Sequence, residues 1–91
     1  MANTRSAKKR IRQNEKHRVR NRVYRGRART FVKNARLAID TGDVDAARTA
    51  TFEAVSELDR AAQKGVLHKN NASRRKSRLM KSLAALENQK A

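Results

Sequence analysis

Hydrophobic positions along this chain recur at helical spacing and show no run of strict alternation. At about 100° per residue, Ala28, Phe31, Val32, Ala35, Ala38 and Ile39 fall in one stripe. Val44, Ala47, Ala54, Val55, Leu58, Ala61 and Ala62 form a second stripe. Ala72, Leu79, Leu83 and Leu86 form a third, with Arg74, Arg78 and Lys81 on the opposite face. The breaks between stripes carry their own signals. In AIDTGDVDAA, Gly42 suits the left-handed residue that ends a helix, and Asp43 the cap that begins the next. In RAAQKGVLHKN, Gly65 reads as a second stop, with Val66 or Leu67 folding back hydrophobically. The chain has no proline and no Asn-Gly or Asp-Gly hairpin signal. It therefore predicts three helices, near 5–41, 43–64 and 68–87, with short connections that make neighbours antiparallel. The fold class is all-α, a three-helix bundle.

The first helix is too long for its partners. A helix over 5–41 spans about 55 Å at 1.5 Å per residue, whereas a compact chain of this size has a radius of gyration of about 12 Å. The two shorter helices cover only its C-terminal part, so its beginning must project. The expected organisation is one domain over 1–91, with a basic arm at 1–25 and the bundle at 26–87. Apolar residues in the arm are few and widely spaced: Ile11, Val19, Val23 and Tyr24. Alone in water such an arm is expected to fray, because little burial offsets its ordering entropy. Gly26, inside the helix, costs about 1 kcal/mol relative to alanine. It is either a hinge or a place where a partner approaches the backbone.

Charge changes the picture most. The 91 residues carry 24 Lys+Arg against 8 Asp+Glu, a net charge of +16. Residues 1–36 carry +13, residues 37–63 carry −4 and residues 64–91 carry +7. An acidic middle between two basic arms points to a polyanionic partner for the arms, with the middle facing solvent or the arms. A chain this short buries about 60–65% of its unfolded surface, which leaves little room for an enclosed catalytic pocket. Cysteine is absent, which excludes disulfides, a thiol nucleophile and cysteine metal sites. No apolar run approaches the ~20 residues of a membrane span, and the basic start lacks the apolar region of a signal peptide. The expected setting is the cytoplasm.

Catalytic chemistry finds no support. His17 and His68 lie in different basic segments, and His17 cannot face Glu15, because residues two apart on a helix do not meet. Both histidines read as phosphate or surface contacts. Asp40, Asp43 and Asp45 lack calcium-loop spacing and read as helix-capping carboxylates. No resident metal or cofactor is expected.

Nucleic-acid binding is supported by arrangement as well as abundance. Arg18, Arg22, Arg25, Arg29, Lys33 and Arg36 recur every three or four residues, within about 80° of one another on a helix and beside the apolar stripe. Upstream, SAKKRIRQNEKHRVRNR is cationic on nearly every face, as suits a rod surrounded by phosphates. Arginine predominates, favouring bidentate phosphate contacts and stacking on bases. The signatures of an RNA recognition motif, a zinc finger or a zipper are missing. A protein fitting structured RNA by shape, 2′-hydroxyl and phosphate contacts agrees best. The rivals are a histone-like DNA architectural protein and a membrane-active cationic helix; the arm's lack of a continuous apolar face counts against the second.

Three segments also carry a resemblance: SAKKRIRQNEKHR at 6–18, RTFVKNARLAIDTGD at 29–43 and LDRAAQKGVLHKNNASRRKSRL at 58–79. With the overall length, they make the chain resemble the bacterial small-subunit ribosomal protein family numbered twenty. The resemblance implies a three-helix bundle with an extended first helix, and direct binding to small-subunit (16S) ribosomal RNA, mainly its 5′ domain. It further implies an early part in assembly of the small subunit. It places RNA contacts at Ser6, Lys8, Lys9, Arg10, Arg12, Lys16 and Asn21 in the arm. At the start of the third helix it places them at His68, Lys69, Asn70, Arg74, Arg75, Lys76 and Arg78. The expected partners are that RNA and the assembled small subunit, with no membrane and no second copy of the chain.

Overall fold

The computed structural model describes residues 5–90; residues 1–4, within the expected arm, and residue 91 lie outside them. Three helices follow one another: α1 (Arg5–Thr41), α2 (Val44–Gln63) and α3 (Lys69–Lys90), with no strand among the described residues. The architecture is all-α with an extended first helix. The molecule measures 66 × 21 × 14 Å, with a radius of gyration of 17.9 Å. That exceeds the roughly 12 Å of a compact chain of this length.

The connections form as the local residues dictate. Gly42 and Gly65 have φ of 81° and 75°, a region that residues with a Cβ enter at a cost. At the first turn, the Asp43 side chain accepts from the Ala46 N–H at 3.3 Å and caps α2. At the second, the Gly65 and Val66 N–H groups donate back to Ala62 and Ala61. Val66 folds into the core and Leu67 packs beside it. Four helix limits differ from expectation: Asp43 caps α2 rather than opening it, and α2 ends at Gln63 with Lys64 as its C-cap. Residue 68 caps α3 rather than opening it, because the His68 imidazole accepts from the Asn70 N–H at 3.1 Å. At the other end α3 continues past residue 87 to Lys90, since Asn88 and Gln89 are compatible with helix and neither glycine nor proline stops it.

The core has two parts. Ala28, Val32 and Ala35 of α1 meet Ala54, Leu58 and Ala61 of α2, closed by Val66 and by Ala72 and Leu79 of α3. A smaller cluster joins Ala47 to Leu83 and Leu86, with Ala38, Ile39 and Val44 alongside. Helix α2 is the central element; α1 and α3 pack mainly on it and touch each other least. Because the interhelical positions are mostly alanine, the helices approach closely. Tyr24 is the first residue of α1 to pack on the core, and Ala28 the first to be buried. N-terminal to Tyr24, nearly every described residue is exposed, Ile11, Val19 and Val23 included. No helix among the described residues is long and apolar enough to cross a membrane.

Candidate nucleic-acid interface

The interface grows from the way α1 leaves the bundle. One side of its C-terminal half is buried, so the residues beside that side are fixed in direction by packing. Arg18, Arg22, Arg25, Arg29, Lys33 and Arg36 are all exposed along this flank. Five of the six have side chains with no hydrogen-bond or ion-pair partner among the described residues. The exception is Arg18, held by both carboxylate oxygens of Glu15 at 2.8 and 2.9 Å. An exposed ion pair of this kind contributes little to stability, so a phosphate can displace Glu15 readily. Between these side chains runs an open groove of about 630 Å³. It is lined by Arg18, Arg22, Arg25 and Arg29, by Asn14, His17 and Asn21, and at one edge by Gly26.

The two basic regions are brought together. A small cleft of about 80 Å³ is bordered by Arg25 and Arg29 of α1, by Arg75 of α3, and by Leu58 and Leu67 beneath. Arg75 is oriented there by its Nε–H, which donates to Asn71 Oδ1 at 2.9 Å. Farther out, Lys9, Arg12 and Lys16 line another groove of about 310 Å³ with Gln13. Ser6, Lys8 and Arg10 are exposed around the same rod. Lys69, Asn70, Arg74 and Arg78 are exposed on α3.

Two expected contacts have internal tasks. His68 Nδ1 accepts the Asn70 N–H, so in this role that nitrogen carries no proton, and only Nε2 is left for a ligand. Lys76 Nζ lies 2.6 Å from Asp59 and its side chain is 31% exposed, which places it in the seam between α2 and α3.

The acidic middle proves to face the basic arms in part. Glu57, 7% exposed, accepts from Arg27 at 3.1 and 3.3 Å and from Arg60 at 3.2 Å. Hydrogen bonding to Glu57, reinforced by its charge, raises the Arg27 guanidinium above its ordinary pKa. Arg48, at 2.8 Å from Glu87, is raised in the same way and ties α2 to the end of α3. Arg27 also lies over the Phe31 ring, 6.0 Å from its centre. These pairs escape a reading that sorts charged residues by segment. The available signal is that Glu57 sits among Ala54, Leu58 and Ala61, where a carboxylate needs a cation from a neighbouring helix. Asp43 caps α2, as its sequence context indicates. No group of three or more His, Cys, Asp or Glu side chains among the described residues could hold a metal ion.

Comparison with known proteins agrees with this geometry. The family model for ribosomal protein S20 matches residues 2–84. The small ribosomal subunit protein bS20 of Thermomicrobium roseum is 55% identical over 86 residues, covering 94% of this chain and 87% of that one. Its counterpart in a Roseiflexus species is 55% identical over 84 residues, covering 92% and 91%. That of Aquifex aeolicus is 48% identical over 92 aligned positions, covering 100% and 98%. With half of all positions shared along nearly the whole length, and with the long basic first helix those matches span, the chain belongs to the ribosomal protein S20 family.

Proposed function

We propose that this chain is a structural, non-catalytic constituent of the small ribosomal subunit that binds 16S ribosomal RNA directly. Its principal target is the 5′ domain, which it helps to hold and assemble. The observation that carries this reading is the flank of six exposed cations on α1, five of them without a partner among the described residues, continued by Arg75 across the cleft. A solvated surface has no need to concentrate one sign of charge in this way, whereas a phosphate backbone does. The arm at 1–25 enters between RNA strands, and the bundle at 26–87 fixes the angle at which it leaves. Ser6, Lys8, Lys9, Arg10, Arg12 and Lys16 then surround the rod with cations. Lys69, Asn70, Arg74 and Arg78 supply a second point of attachment. No cofactor takes part.

Competition between folded 5′-domain RNA and duplex DNA across a salt series tests the proposal. If 6–10 phosphates are contacted in duplex-like geometry, affinity falls by about 10³–10⁵ between 50 and 200 mM salt. RNA should outcompete DNA throughout. A salt-insensitive affinity would sink the electrostatic mechanism, and equal affinity for duplex DNA would favour a general nucleic-acid architectural protein.

A further inference from the structure

Gly26 has no evident internal reason to be glycine. It lies within α1, and among the chain's glycines only Gly42 and Gly65 have positive φ. A Cβ built on it meets no atom within 4 Å. Alanine would fit the backbone and the space, and would favour the helix. What distinguishes the position is its surroundings. Gly26 lies at the shared edge of two open grooves, the arginine-lined one and a second that reaches Thr30 and Phe31. Arg22, Arg25 and Arg29 stand within one helical turn of it, one, three or four residues away.

We infer that Gly26 is a notch admitting a ribose–phosphate backbone into van der Waals contact with the main chain of α1. Arg22, Arg25 and Arg29, which share one side of Gly26 around the helix, reach its phosphates. This rests on the RNA-binding reading and adds the place where the RNA comes closest. Glycine permits such an approach because no Cβ stands between ligand and backbone. A methyl group there displaces the strand by about 1.5 Å, one carbon–carbon bond length. That is enough to spoil the short, directional geometry of charge-assisted guanidinium–phosphate bonds. Side chains farther along the groove suit ribose. Asn21 offers both donor and acceptor groups. His17 Nδ1 lies 3.3 Å from the Arg20 guanidinium. Arginine only donates, so Nδ1 is the acceptor and Nε2 is left to face a ligand. The 2′-hydroxyl, itself a donor and an acceptor, is the group such side chains recognise.

The experiment uses the full chain with Gly26→Ala and Gly26→Leu, small-subunit 5′-domain RNA as the probe, and circular dichroism of each free protein. The alanine variant should hold or gain helix yet bind about tenfold more weakly, and the leucine variant more weakly still. The dependence of affinity on salt should also become shallower in both, although no charge has been removed. Undiminished affinity in either variant overturns the inference. Tighter binding by the alanine variant overturns it in favour of a hinge that alanine stiffens. If the wild-type chain itself leaves this RNA unbound, the RNA-binding reading falls and takes the inference with it. Wild-type binding matched by the variants removes the inference alone.

Discussion

Thr51 is fully buried in α2, and its hydroxyl finds no hydrogen-bond partner among the described residues. A buried unsatisfied hydroxyl costs about 1–3 kcal/mol, and valine has nearly the same shape. Thr51→Val should therefore stabilise the free protein, raising its thermal midpoint by roughly 4–8 °C per kcal/mol recovered. A lowered midpoint in calorimetry would show that the hydroxyl is satisfied after all. Glu57 is the opposite case, a buried carboxylate satisfied twice over. Because pairing raises the Arg27 pKa, its stabilising effect is fully present below the ordinary arginine range and is lost only above it. Neutral pH leaves the pair intact. Neither Thr51 nor Glu57 was legible as part of the core, because a stripe traced through apolar letters passes over polar residues at the same helical angle. Ala47, Ala54, Leu58 and Ala61 were legible, since periodicity alone places them.

Among the elements, α2 carries the fold, and its contacts decide what a truncation does. Leu58 is fully buried where all three helices meet, and Leu79 joins the same cluster from α3. Leu58→Ala or Leu79→Ala should each cost about 2–5 kcal/mol, a large fraction of what so small a domain holds in reserve. Far-UV circular dichroism should show much of the bundle melting at room temperature; unchanged helicity in both variants would mean that the core lies elsewhere. The helix limits were legible wherever a local cap sets them, as Gly42, Asp43 and Gly65 do. The end of α3 was not, since no residue there stops a helix. The N-terminal half of α1 has almost no core to lean on, and its order in solution follows from that. Adding 5′-domain RNA should increase helix by about 20–25 residues if the arm folds as it binds. No gain, with tight binding, would identify a preformed rod.

The whole molecule has two sides of unequal character. Along one flank of α1, Arg22, Arg25, Arg29, Lys33 and Arg36 have no partner among the described residues, while the acidic residues Glu57, Asp59 and Glu87 are taken up in ion pairs within the bundle. Replacing Arg22 or Arg29 with alanine should lower the slope of log affinity against log salt by about 1 each. Neither substitution should alter the melting of the free protein. A loss of affinity with an unchanged slope would mean that these side chains do not neutralise phosphates. The arginine row was legible from spacing, because one helix suffices to define it. Its meeting with Arg75 was not, because that depends on where α3 comes to rest against α1.

A straight rod that carries cations around its circumference also constrains the order of events. Such a rod can be laid into an open trough, and strands can then close over it. A finished tunnel lined with phosphates would admit it only by threading along the roughly 30 Å that projects ahead of Tyr24. The bundle at one end, 21 Å across at its widest in a molecule 66 Å long, blocks threading from that direction. On the proposed RNA-binding function, the shape favours arrival before the binding site is complete, with the RNA closing over the rod afterwards.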